Sequence, residues 1–260
     1  GKDTVQGKIE TCLGRMMGLN NPVEDYFGPN PPIELIGAGR TDAGVHAKGM
    51  VASVKLPDNI PGIMDGTRNE SGALLHTDRI RDYMNRYLPD DIAIREVREA
   101  SDRFHARYNA TGKTYEYTIF DGPVKPVFNR KYYTALEEPL DEERMKEAAA
   151  YLVGEHDFKS FCTNPKMKKT TVRRIDSVTV RRNKGYVTIT VFGNGFLQNM
   201  VRIIAGTLLY AGVGKLGTDD IMKALDGGQR QQSGKTLPAN GLTLEEVFYD
   251  WSKWVVTPDI

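Results

Sequence analysis

The hydrophobic pattern changes period along the chain, and this change limits the fold more than any other feature. From 113 to 120 apolar side chains alternate, with Tyr115, Tyr117 and Ile119 on one face. Residues 171–182 and 185–192 alternate again, with Val187, Ile189 and Val191 sharing a face. Asn183-Lys184-Gly185 between them predicts a hairpin. Residues 33–38, 50–56, 92–99 and 246–250 read as further strands. Helical spacing holds over 3–19, 76–88, 139–153, 195–213 and 218–226. Asp3 and Asp141 stand where N-caps belong, and Gly154 just past the end of the third helix. Polar, turn-rich stretches fill 20–32 and 57–73. Hairpins with helices between them predict an α+β fold with largely antiparallel sheets. The order of elements suggests two similar ferredoxin-like (split β-α-β) halves, 1–109 and 110–260. On that reading the first half lacks its opening strand, because nothing in the chain precedes the helix at 3–19.

Composition removes several classes of function. The chain has 260 residues, 40% of them hydrophobic, enough for a substantial core. It contains no apolar run of about 18 residues, so no membrane span is expected. It opens on Gly1 rather than Met, and no signal peptide is visible. Cys12 and Cys162 are far apart and neither belongs to a C-x-x-C, so no disulfide framework is expected and a cytoplasmic home is the simplest. His46, His76, His105 and His156 show no ligand spacing, so no metal is expected. The net charge of +1 does not announce a nucleic-acid partner. Such a partner requires basic residues gathered on one surface. Local clusters do exist: Arg103, Arg107 and Lys113; then Lys166, Lys168, Lys169, Arg173 and Arg174; then Arg181, Arg182 and Lys184. Each taken alone reads as a solvated loop or strand edge.

The densest chemical signal is Gly37-Ala38-Gly39-Arg40-Thr41-Asp42-Ala43-Gly44-Val45-His46-Ala47. Three glycines in eight residues allow positive φ and close backbone approach. A strand ending in such a turn can present a carboxylate. In isolation, Asp42 would more often bond its own backbone in an Asx-turn, Arg40 would be a surface cation and His46 a structural hydrogen-bonder.

This segment resembles the signature of the TruA-type tRNA pseudouridine synthases. Further matches follow in order: residues 3–10; Phe104-His105-Ala106-Arg107; Gly112-Lys113-Thr114-Tyr115-Glu116-Tyr117; residues 154–161; and Phe196-Leu197-Gln198-Asn199-Met200-Val201-Arg202. The resemblance runs from residue 3 to the last strand. It departs at the missing opening strand, at the longer and more polar stretch 62–76, and at Met50, where the family often has Gln.

The resemblance implies an active-site cleft between the two halves and the isomerisation of uridine to pseudouridine in the tRNA anticodon stem-loop, at positions 38–40. That reaction breaks the N1–C1′ bond, turns the uracil and rejoins it through C5. It involves no redox change, so no cofactor is expected. Asp42 would act on C1′, on C6 or on a sugar proton, and the sequence leaves these open. A carboxylate working in a cleft stays ionised when a cation opposes the effect of burial. The resemblance gives that role to Arg202, which the helical pattern places opposite an apolar face and beside Gln198, Asn199 and Gly206. It gives Tyr115 the stacking surface for the everted uracil, and its hydroxyl a share in removing the C5 proton. Arg40, His46, Arg107, Lys113, Lys168, Lys169 and Arg173 are the expected tRNA-binding residues. A homodimer sharing one tRNA is implied. The alternatives are a non-catalytic tRNA-binding protein on the same fold, a glycoside-processing enzyme, which lacks a visible partner carboxylate, and a purely structural or interaction module, which the clustering of Gly, Arg and Asp at one turn disfavours.

Overall fold

A computed structural model describes residues 4–18, 33–56, 76–164 and 170–254. Asp3, the loops expected at 20–32 and 57–73, and Lys166, Lys168 and Lys169 lie outside these residues. The chain divides into two compact units. One comprises 1–38, 51–109 and 250–260; the other comprises 39–50 and 110–249. The Asp42 segment therefore belongs with the C-terminal residues, not with its immediate sequence neighbours.

In the first unit, α1 (Val5–Met16) is capped by Thr4, whose hydroxyl accepts from the Gly7 amide, so the helix begins later than an Asp3 cap would place it. Strands β1 (Leu35–Gly37) and β3 (Ala52–Val54) pair antiparallel, with Leu35 opposite Val54. Gln6 donates to the Leu35 carbonyl and buried Glu10 accepts from the Leu35 amide, so side chains of α1 close that part of the strand edge. Helix α2 (Thr77–Tyr87) adds Ile80 and Met84 to a core with Cys12, Leu13, Ile33, Leu35 and Leu88. The strand expected at 92–99 does not form. Ile92, Ile94 and Val97 do pack on this core. However, Asn85 takes both polar backbone groups of Ile94, its amide donating to the carbonyl at 2.8 Å and its oxygen accepting from the N–H at 2.7 Å. One side chain thus supplies the hydrogen bonds that a strand partner would supply.

The second unit is built on a seven-stranded sheet. Its strands are β2 (His46–Ala47), β4 (Gly112–Phe120), β5 (Thr134–Ala135), β6 (Gly154–Asp157), β7 (Val172–Asn183), β8 (Tyr186–Gly193) and β9 (Leu242–Phe248). The order is β2-β9-β4-β8-β7-β6, with β5 beside β4. Every pairing is antiparallel except β2 with β9 and β4 with β5. The β7–β8 hairpin turns at Lys184-Gly185, with φ of +47° and +82°, the type I′ geometry that suits strand twist. Tyr117, Ile119, Val187, Ile189 and Val191 form the inner face. Helix α3 (Glu142–Tyr151), with Asp141 accepting from the amides of Glu143 and Arg144, contributes Met145, Ala148 and Ala149 to the same core. Helix α5 (Thr218–Leu225) contributes Ile221 and Ala224.

Helix α4 (Met200–Gly212) starts five residues later than its apolar spacing suggests. Residues 195–199 are not helical, and Asn199 holds φ +62° at the junction. The helix is also buried more completely than a one-faced pattern predicts. Its expected polar side at Gly206 is covered by residues 233–237: a methyl group at 206 would run into the Lys235 carbonyl, and the Gly234 amide donates to Thr207 Oγ1 at 2.8 Å. The absent side chain at 206 permits this backbone-on-helix contact.

Candidate active site

The segment after Ala38 leaves the first unit and forms an exposed turn. The Val45 amide donates to the Asp42 carbonyl at 3.1 Å, and Gly44 adopts φ +84°. An L side chain at that φ is strained by about 1–2 kcal/mol, which explains the glycine. The chain then pairs parallel with β9 at His46 and Ala47. His46 Nε2 bonds the Lys131 carbonyl at 2.8 Å, and its ring lies 4.6 Å from that of Tyr132. These contacts hold the far end of the turn.

The structure brings Asp42 and Arg202 together across 160 residues of sequence. Arg202 Nη1 donates to Asp42 Oδ2 at 2.9 Å. The same nitrogen donates to Asn199 Oδ1 at 2.8 Å, and Nε donates to the Leu237 carbonyl at 2.7 Å. The Arg202 side chain is 17% exposed and that of Asp42 43%. Asp42 therefore does not sit in the water-excluding setting expected of it. The cause is local: Arg40 through Gly44 are all exposed, and Arg202 covers one carboxylate oxygen.

Tyr115 and Tyr117 point to one face of β4 but have different surroundings. Tyr117 is fully buried; its hydroxyl donates to the Pro238 carbonyl at 2.8 Å and lies 2.6 Å from Thr134 Oγ1. Tyr115 meets Phe196 edge-on, with ring centroids 5.1 Å apart. Burial, and after it the negative charge of Asp42, pushes the Tyr115 hydroxyl up to about 12. It stays a neutral phenol near neutrality, suited to stacking and to donating a hydrogen bond.

The other expected residues are dispersed. Arg40 is exposed two positions before Asp42. The Lys113 ammonium lies beside Gly39, 3.0 Å from where a β-carbon would stand. Arg173 donates to the carbonyls of Thr170 and Val172 at 2.9 and 2.6 Å, and its burial disfavours the charged form. Arg107 is exposed in the first unit. Asn199, Phe196 and the Leu237 carbonyl carry structural work to which no role was attached from sequence. Asn199 and Phe196 lie within a quoted motif, and Asn199 is three residues before Arg202. A backbone carbonyl leaves no such trace. Among the described residues no group of three His, Cys, Asp or Glu side chains could hold a metal ion, and no helix is long and apolar enough to cross a membrane.

The family model described as tRNA pseudouridine synthase matches residues 148–250. The tRNA pseudouridine synthase A of Bacillus sp. (strain KSM-64) is 41% identical over 249 residues, 96% of this chain and 91% of that protein. The proteins of the same name from Brevibacillus brevis and Acetivibrio thermocellus are each 42% identical over 246 residues, 95% of this chain and 90% of theirs.

Proposed function

Since the chain belongs to the tRNA pseudouridine synthase A family and is an isomerase, we propose that it converts uridines 38–40 of the tRNA anticodon stem-loop to pseudouridine, with Asp42 as the reacting carboxylate. The observation that carries this reading is the 2.9 Å pair between Asp42 and Arg202. The guanidinium holds one carboxylate oxygen in place and leaves the other for the nucleotide. An uracil turned out of its stem would stack on Tyr115, and its seating would displace water from the exposed side of Asp42. No redox step is required, and no cofactor is invoked.

Arg40, Arg107, Lys113 and Arg173, with Lys168 and Lys169 and His46, would hold the RNA by phosphate and sugar contacts. In this reading residues 1–109 supply RNA-binding groups and the Asp42 segment, while 110–260 supply Tyr115 and Arg202. The working form is a cytoplasmic homodimer that shares one tRNA.

Tritium release from C5-labelled uridine in an unmodified tRNA transcript tests the assignment. The Asp42→Ala variant should lose at least about 1,000-fold in kcat, because the reacting group itself is removed. Release undiminished in this variant would falsify the role of Asp42. Release from uridines outside the anticodon stem-loop would overturn the substrate position.

A further inference from the structure

We infer that Asn199 is a positioning residue for the isomerisation: its side-chain amide fixes the Arg202 guanidinium in the orientation that meets Asp42. The inference rests on the Asp42 reading above.

Asn199 occupies the N-cap of α4, where an Asn side chain ordinarily accepts from the amides of the first turn. Here it makes no such bond. Its Oδ1 accepts from Arg202 Nη1 at 2.8 Å, and its Nδ2 donates to Thr163 Oγ1 at 2.7 Å. The orientation of the amide follows from chemistry. Arg202 can only donate, so the oxygen must face it, and the NH2 must then face the Thr163 hydroxyl. The Thr163 amide in turn donates to the Gln198 carbonyl at 3.4 Å, so the neighbouring backbone is tied to the same loop.

The backbone at 199 has φ +62°, a left-handed conformation that Asn tolerates better than most residues. The conformation carries the Asn199 carbonyl into the first helical bond, to the Ile203 amide at 3.0 Å, while the side chain turns away from the helix end. The left-handed backbone accounts for an Asn here but not for where its amide points. Its Oδ1 is spent on the guanidinium that meets Asp42. Arg202 Nη1 is shared between Asn199 and Asp42, so rotation of the Asn199 amide would release the nitrogen that meets the carboxylate.

Glycine separates side chain from backbone at this site, because it adopts φ +62° without strain. Asn199→Gly should lower the thermal midpoint by only a few degrees at most, through the two hydrogen bonds lost, and keep KM for tRNA near wild type while lowering kcat about 10- to 100-fold, the size of one hydrogen bond to a charged group. Thr163→Val frees the amide to rotate and should lower kcat about 3- to 10-fold on the same grounds. Thr163→Ser, which keeps the hydroxyl, should restore it. The two losses should be less than multiplicative in Asn199→Gly/Thr163→Val, since both act through one amide. Wild-type kcat in a folded Asn199→Gly protein overturns the inference, and so does a loss confined to KM or to the thermal midpoint. Asp42→Ala, run alongside, separates the two readings: full activity there defeats the role of Asp42 itself, whereas an inactive Asp42→Ala beside a fully active Asn199→Gly defeats only this inference.

Discussion

Arg202 occupies the first turn of a buried helix and gives its donors to acceptors on three different segments. Asp42 occupies an exposed glycine turn and offers more than two-fifths of its side chain to solvent. The cation side of the pair is thus built into the core, and the carboxylate side is carried to it on a short excursion between two strands. Arg202 is held from behind by residues 229–238. The Leu237 carbonyl takes Nε, and the Leu237 amide donates to the Arg202 carbonyl at 3.3 Å. Arg230 ties the segment to itself through Ser233, the Gly234 carbonyl and Thr236. Ser233 anchors it to the Ser160 carbonyl at 2.7 Å. Preorganisation thus resides in Arg202, while Asp42 stays open to solvent, as the proposed reaction requires of a carboxylate that a nucleotide must reach.

The largest test of that contrast is Arg202→Ala. Removing a preorganised donor from a reacting centre costs about 100- to 1,000-fold in kcat. Asp42 is 43% exposed and water can take part of the place of Arg202, so a loss of about 100-fold in kcat is expected. Arg202→Lys should restore little of it, because an ammonium cannot serve Leu237, Asn199 and Asp42 with a fixed fork. A lysine variant with full activity would show that charge alone suffices and that the orientation of the guanidinium is irrelevant.

Next comes the packing behind the cation. Gly206→Ala places a methyl group against the Lys235 carbonyl. Overpacking of this kind costs about 1–3 kcal/mol, and backbone is the least able to yield. The gain of about 1 kcal/mol that Ala has over Gly inside a helix offsets only part of it. The expected net loss is about 1–2 kcal/mol in denaturant unfolding, with kcat lowered because Leu237 is pushed off Arg202. If stability falls while kcat does not, residues 233–237 support the fold but not the guanidinium.

The same inequality governs what could be read from sequence. Long periodic elements were legible: α1, α2, α3, β4 and the β7–β8 hairpin all fall where the pattern places them, within a few residues. The two-residue strands β2 and β5, and the four-residue β6, were not. No pattern exists at that length, and such strands are defined by their partners. The 92–99 stretch misled because the alternation of Ile92 and Ile94 is real and serves a core, while Asn85 replaces the strand partner. The start of α4 was hidden because apolar Phe196 and Leu197 continue the helical spacing through a segment that is not helical. At the site, Asp42 and Arg202 were joined only through family resemblance. Nothing local in either segment points to the other. The exposure of Asp42 leaves no trace in the sequence, because a carboxylate's solvent access depends on the neighbours that the turn leaves uncovered.

The smallest effect reads both sides of the pair with built-in reporters. Tyr115 and Tyr117 are both pushed up to about 12 by burial. After burial, Asp42 raises Tyr115 further, whereas Thr134 and then Arg202 pull Tyr117 down. Asp42→Asn should therefore lower the titration of Tyr115 and leave that of Tyr117 in place, as followed by tyrosinate absorbance against Tyr115→Phe and Tyr117→Phe controls. The stability consequence has a definite sign. A phenol that titrates near 10 unfolded and near 12 folded keeps its proton longer in the native state. Its contribution is complete below pH 10 and drains away as pH rises towards 12, by about 1.4 kcal/mol per pH unit for each such phenol. Tyr115→Phe should flatten that alkaline slope by one phenol's share. An unchanged slope would mean that the Tyr115 ring is hydrated in solution, and that the ground beneath Asp42 is wetter than the buried setting of Tyr117 two residues along the strand.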